Sequence, residues 1–333
     1  MKNIYYTTSS DPKYLAGTDI LIGDMSDINY EFLLFNRPII LLANNWLKIN
    51  FPDIGIKTDL NGLPNAIDRC IKCPDEFEYN RKYWLKKTIN KPFKNGSKLI
   101  LDIIIKKAGL DDPVIILIHG NSSVRKTNLK SIYEEGLKNN YNIEMTGSIK
   151  NKSSSNIIYV AVHFEDLKGI QDGFKVHLDH GLKGRGSDNV EFSSMDYKKN
   201  NYFPNIDIHI TAGEEGFKRT KNHLLGPNKK RAIIGGYPKS QLLLKLNNMQ
   251  NRLDVCNELN FNSDKLIVTY APSGPLSDKK PGGSLSYKVL NTMNRISKNG
   301  DYNILVKLKN NKHHPLFLPL KKLKTSLYEM INY

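Results

Sequence analysis

The sequence predicts an α/β protein built on parallel sheets, and three observations carry that expectation. Short, largely apolar runs recur along the chain, at residues 20–22, 114–118, 157–162 and 265–270, and each stops at a small polar or glycine-bearing loop. Runs of that kind suit strands buried on both faces, as strands of parallel sheets are. Segments of helical periodicity lie between them, so strand and helix alternate from one end to the other. There is also no internal repeat and no apolar run of about 18 residues that would span a membrane.

The elements follow in order. Residues 2–6 (KNIYY) read as a strand, followed by a polar segment and a short helix over residues 11–17. Residues 19–42, DILIGDMSDINYEFLLFNRPIILL, form the best-defined step. Ile20 to Ile22 is a strand that stops at Gly23-Asp24. Ser26 and Asp27 are N-cap residues for a helix whose Ile28, Phe32 and Phe35 recur at helical spacing, and Arg37-Pro38 ends it before a second buried strand. This is a β-α-β step with a polar loop at the strand's carboxyl end, where open α/β sheets bind anions. After Leu42 the pattern loosens. Helices follow over residues 62–73, 79–89 and 97–108, and Asp111-Asp112-Pro113 breaks the chain.

Beyond the break, strands are expected at residues 114–118, 141–145, 157–162, 174–178, 206–210, 231–234, 265–270 and 302–307. Helices are expected at 129–139, after Thr211, at 254–259 and at 286–298. Gly235-Gly236-Tyr237-Pro238 reads as a turn into a linker. No GxGxxG or GxxxxGK[ST] phosphate loop is present.

The totals set limits. With 333 residues there is room for two domains, and 39% hydrophobic with 9% aromatic content is that of a globular chain. The net charge of +16 and pI near 9.5 fit a polyanionic substrate, an anionic membrane face or nucleic acid. No nucleic-acid module or aromatic-basic interleaving supports the last, so no nucleic-acid partner is expected. The N-terminus lacks the apolar core of a signal peptide, which points to the cytoplasm. Cys70-Ile-Lys-Cys73 has CxxC spacing but no second pair to complete a zinc site, so no metal and no cofactor is expected.

Several loop-bearing segments together resemble the CDP-glycerol glycerophosphotransferase family, whose members build teichoic-acid-type poly(glycerol phosphate). They are residues 19–42, HGLKG at 180–184, GGYPKSQLL at 235–243, TYAPSG at 269–274 and NILVKL at 303–308. The resemblance implies a GT-B fold, with two Rossmann-like domains facing a cleft. It also implies transfer of glycerol phosphate from a CDP-activated donor to a hydroxyl on an anionic polymer or lipid-linked acceptor, with peripheral association at the inner membrane face.

The order of the segments departs from the family, in which the D-x-S segment of residues 19–42 comes last. Joining the end of this chain to its start gives continuous family text. The sequence therefore resembles a circular permutation with the original ends fused near residues 108–112, a window cut from a tandem array, or an open reading frame assembled across a false junction. The domains expected are residues 1–75 plus 262–333 for the donor, connecting helices at 76–112, and an acceptor-side domain at 113–261.

The same resemblance implies site residues. His180 matches the HG histidine and is the expected general base, with Lys183 holding an acceptor phosphate and His119, in a second HG, on the acceptor side. Ser26 matches the first serine of D-x-S-S and would bind the donor diphosphate; Asp27 stands where the family has the second serine. Glu31 is placed to take ribose hydroxyls, and Ser273 and Gly274 to line the donor cleft. Where the family has K-L-H-P, this chain has Lys307-Leu308-Lys309 and, further on, His314-Pro315. Either Lys309 replaces the second histidine or His314 is that histidine displaced. Other readings are a GT-B sugar transferase, an enzyme like UDP-N-acetylglucosamine 2-epimerase, or an inactive binding homologue.

Overall fold

The computed structural model describes residues 4–24, 26–42, 51–89, 95–148, 155–179, 206–223, 232–272, 287–298 and 301–308. Two six-stranded sheets organise them, and every neighbouring pair of strands is parallel. The class expected from the alternation of buried runs and helices is the one observed.

The first sheet takes strands from both ends of the chain. From the front come β1 (Ile4–Thr7), β2 (Ile20–Gly23), β3 (Ile39–Leu42) and β4 (Ile56–Thr58); from the back come β11 (Leu266–Ala271) and β12 (Tyr302–Lys307). Their spatial order is β1-β12-β11-β2-β3-β4. Counted from β11, with β12 second and β1 to β4 third to sixth, the sheet reads third, second, first, fourth, fifth, sixth. That is the doubly wound order of dinucleotide-binding folds, with its switch point between the first and fourth strands. Here the switch lies between β11 and β2, where Tyr270 pairs with Ile22 and Ala271 with Gly23.

The second sheet holds β5 (Val114–Ile118), β6 (Ile143–Thr146), β7 (Ile157–Ala161), β8 (Phe174–Leu178), β9 (Ile208–Thr211) and β10 (Ala232–Ile234), in the order β10-β9-β8-β7-β5-β6. Its switch point lies between β5 and β7, as in the other common doubly wound order.

The helices are α1 (Pro12–Ala16), α2 (Ile28–Phe32), α3 (Leu63–Lys72), α4 (Glu78–Thr88), α5 (Gly96–Ala108), α6 (Ser123–Lys138), α7 (Glu214–His223), α8 (Pro238–Leu246), α9 (Met249–Leu259) and α10 (Tyr287–Lys298). Alternation along the strands decides what each face buries. Leu21, Ile39 and Leu41 join Leu15, Phe32 and Leu33, whereas Ile20, Ile22 and Ile40 join Leu63, Ile67 and Met293 on the other side. In the second sheet Ile115, Leu117, Ile158 and Val160 pack against Ile100, Leu101, Leu129 and Ile132 of α5 and α6.

Two features tie the sheets to each other. The core cluster around Leu21 also contains Ile89, Ala212, Tyr237 and Leu243, so apolar packing is continuous across the seam. Helix α4 packs on both the 3-10 turn after α2 (Leu33–Phe35) and α7, and α8 packs on α1 and α6. Helix α5 ends at Gly109, whose left-handed φ of 61° closes it, and β5 begins five residues later at Val114. The stretch expected to join the family's original ends is thus a short turn from a helix on the second sheet into that sheet's β5.

Several elements differ from the sequence reading, among them the helix expected at 129–139, which starts at Ser123. Strand β4 has three residues and one buried position, too few to show an alternation. Residues 238–246, read as linker, form α8, which starts with a proline in its first turn where the missing N–H costs nothing. Helix α9 starts at Met249, earlier than residue 254, because the Asn248 side chain caps the Asn251 N–H at 2.9 Å.

Candidate active site

The loop after β2 sits at the first sheet's switch point, and its geometry starts with a glycine. A Cβ on Gly23 would lie 1.9 Å from Oδ1 of Asn29, so only glycine lets this side chain close over the strand end. Asn29 is fully buried and donates from Nδ2 to the Asp24 carbonyl, which pins the turn to the helix that follows it. Asp24 itself is 5% exposed at the strand's carboxyl end.

The capping pattern differs in detail from the one expected. Asp27 is the N-cap by position, and its carbonyl accepts from the Tyr30 and Glu31 N–H groups at 3.0 and 3.1 Å. Its φ and ψ of −59° and −20° are already helical, and its side chain makes no capping bond. Ser26 makes the local contact instead, accepting from the Ile28 N–H at 3.5 Å. Helix α2 is short, five residues, and the Leu33–Phe35 turn continues it until Asn36 ends the run at φ 52°.

Glu31 is 8% exposed and faces the seam. Its Oε1 accepts from the Tyr237 hydroxyl at 2.7 Å and from Lys239 Nζ at 2.9 Å; its Oε2 accepts from the same ammonium at 2.7 Å. Tyr237 is the N-cap of α8 and Lys239 lies in its first turn, shortly after β10, so the second sheet's side of the seam reaches across to hold a carboxylate on the first. Burial pushes the Tyr237 hydroxyl well above the usual phenol range, with Glu31, Asp27 and Asp179 adding to the rise.

Asp27 adjoins Ser26 in the loop after β2, and Asp179 directly precedes His180 in the sequence after β8; both carboxylates add to the rise at the buried Tyr237 hydroxyl. Asp179 is held by its N–H to the Ile210 carbonyl at 2.8 Å and lies against Gly216 of α7. Behind it His177 and His209 stack on neighbouring strands, Nδ1 to Nδ1 at 2.7 Å, a contact in which one ring donates and the other accepts.

His119 ends β5 at the second sheet's switch point. Its N–H donates to the Thr146 carbonyl at 3.0 Å, and its Nδ1 is buried without a hydrogen-bond partner among the described residues. Gly120, at φ 54°, lets the chain turn where a Cβ would strike Arg125 and Asp166. Those two pair at 2.8 Å and tie the start of α6 to the segment after β7 across the switch point.

Ser26, Asp27 and His119 therefore stand at carboxyl ends of strands, and Glu31, on α2, stands at the seam. His180, Lys183, Ser273, Gly274, Lys309 and His314 lie outside the described residues. Tyr237 and Lys239 are the site residues that the sequence reading set aside as a turn. Their only local signal was a tyrosine and a lysine flanking the proline that starts a helix.

Among the described residues no group of three or more His, Cys, Asp or Glu side chains is placed to hold a metal, and no helix is long and apolar enough to cross a membrane. Burial pushes the Cys70 thiol up to about 12, so it carries no thiolate near neutral pH.

Two parallel doubly wound sheets whose strand ends meet at a seam define the GT-B class of architecture. No family model and no curated protein matches the sequence. A search of solved structures finds a variant of the wall teichoic acid polymerase TagF, at 18% identity and a TM-score of 0.40 over 75% of this chain. The match spans 65% of that polymerase's chain.

Proposed function

We propose that the chain is a transferase that moves glycerol phosphate, or a similar polyol phosphate, from a CDP-activated donor to a hydroxyl of an anionic polymer or lipid-linked acceptor. The observation that carries this reading is the pairing of Glu31, on the helix after β2, with Tyr237 and Lys239 at the start of α8. It ties the helix that follows the D-x-S loop to the second sheet's side of the seam, and a transferase joining donor and acceptor requires such a seam. The strand order of the first sheet, doubly wound when counted from β11, supports a permuted form of the family's chain.

In this reading the donor's diphosphate lies over the switch point between β11 and β2, at Ser26 and the N–H groups that begin α2, with Ser273 and Gly274 on the β11 side. Glu31 takes ribose hydroxyls. His180 accepts the proton of the attacking hydroxyl as its oxygen bonds to the β-phosphorus; the bond from that phosphorus to the bridging oxygen breaks, and CMP leaves. Lys309 or His314 offsets the charge developing on the leaving group. Lys183 and His119 serve the acceptor. The +16 net charge suits a polyanionic acceptor and contact with an anionic inner membrane face.

Asp27 in place of the family's second serine favours a second reading, a GT-B enzyme that takes a UDP-sugar, since a carboxylate next to a diphosphate alters donor choice. Calorimetric titration with CDP-glycerol, CDP and UDP-N-acetylglucosamine separates the two. Binding of CDP-glycerol and CDP is expected. Binding of the UDP-sugar without binding of CDP overturns the proposal.

A further inference from the structure

The acceptor positions on Glu31 set what it can offer a ligand. An ionised carboxylate has about four lone-pair sites, shared equally by its oxygens. Oε1 already accepts from the Tyr237 hydroxyl at 2.7 Å and from Lys239 Nζ at 2.9 Å, and Oε2 accepts from the same ammonium at 2.7 Å. Among the described residues these bonds fill Oε1 and leave one position, on Oε2.

The donors are themselves held. Ser131 of α6 donates to the Pro238 carbonyl at 2.9 Å, and Ser240 donates to the Tyr237 carbonyl at 2.6 Å, so the start of α8 is tied both to α6 and to its own first turn. Burial keeps the Tyr237 hydroxyl protonated near neutral pH, so toward the carboxylate it donates. Lys239 bonds to both oxygens, which restrains rotation of the carboxylate.

Stability alone does not account for this arrangement. Apolar residues of similar volume often match or exceed a buried ion pair in stability. The seam around the pair is already apolar, with Leu21, Ile89, Ala212 and Leu243 in one core cluster. A carboxylate kept there with its donors suits a ligand that needs an acceptor of fixed direction.

We infer that Tyr237 and Lys239 are positioning residues of the donor site, which hold Glu31 so that Oε2 offers a single acceptor and the site recognises one ribose hydroxyl rather than both. In the transferase reading, on which this rests, Glu31 meets the donor's ribose. The count of lone pairs narrows that meeting to one hydroxyl and makes it depend on residues from the second sheet's side of the seam.

The test is calorimetric titration of the full chain with CDP, 2′-deoxy-CDP and 3′-deoxy-CDP at fixed ionic strength, using wild type, Tyr237→Phe, Lys239→Met and Lys239→Arg. Each protein is read by the ratio of its affinities for CDP and for each deoxy compound, a ratio that a partly unfolded sample does not move. In wild type one deoxy compound is expected to bind about tenfold or more weakly than CDP, the scale of one hydrogen bond to a charged group, and the other to bind as CDP does. Lys239→Met lowers that discrimination severalfold, because the carboxylate loses the donor that spans its oxygens. Lys239→Arg keeps most of it, since a guanidinium fork spans them too. Tyr237→Phe lowers it less than Lys239→Met does. A wild type that discriminates against neither deoxy compound, or against both alike, overturns the inference, while its binding of CDP still supports the transferase. Discrimination unchanged in Lys239→Met overturns the positioning role. A wild type that binds no CDP overturns the transferase reading, and the inference with it.

Discussion

Replacing Lys239 with methionine is expected to weaken the seam by more than a surface ion pair is worth, and the structure says by how much. The side chains of Lys239 and Glu31 are 14% and 11% exposed. An exposed pair contributes about 0–1 kcal/mol, whereas removing one member of a buried pair costs about 3–5 kcal/mol because the other charge is left uncompensated. Glu31 would keep one partner, the Tyr237 hydroxyl at 2.7 Å. That bond to a charged group offsets about 1 kcal/mol or slightly more, which leaves an expected loss of about 2–4 kcal/mol. Glu31→Gln in the same chain removes the orphaned carboxylate, so the double variant should lose less than the two single losses added together. The assay is urea unfolding of wild type, both single variants and the double, followed by tryptophan fluorescence and far-ultraviolet circular dichroism. A coupling of about 2 kcal/mol supports the seam as described; additivity within about 0.5 kcal/mol refutes it.

Other outcomes follow from the same geometry. Gly23→Ala places a methyl 1.9 Å from the Asn29 amide oxygen and must displace the side chain that holds the Asp24 carbonyl, so a loss of about 1–3 kcal/mol is expected in urea melts. Arg81 is 1% exposed and donates to Asn36 at 3.1 Å and to the Pro74 carbonyl at 2.9 Å. Arg81→Met strands both acceptors, at about 1–3 kcal/mol, and amide exchange in α4 should rise with it. Lys307 titrates below the unfolded-chain value of about 10.4, so within that window the unfolded state binds more protons and stability rises with pH. The rise should vanish in Lys307→Met, as measured by urea midpoints across alkaline pH.

Much of the fold was legible because parallel strands declare themselves one at a time. The runs ILIG and VIILI are buried nearly throughout, and each is bounded by residues that cannot continue a strand. Strand β4 gave no such signal, since its Lys57 and Thr58 are only partly buried. The order of the first sheet was not local at all, since it places strands from the two ends of the chain side by side. The site divides in the same way. Glu31 was singled out through the resemblance, as a carboxylate on the helix after a strand, and the structure gives it partners across the seam. Its partners Tyr237 and Lys239 stand 206 and 208 residues away, and nothing in a single sequence ties them to it.

The central claim, that this seam moves a polyol phosphate from a CDP donor, is tested most directly by CMP release. Wild type and His180→Ala would be incubated with CDP-glycerol and a glycerol-phosphate oligomer, and CMP quantified over time. Release by wild type, dependent on the oligomer and reduced by about a hundredfold or more in the variant, is the result predicted for loss of a general base. Binding of CDP-glycerol with no CMP formed, or equal release by the two proteins, would contradict it.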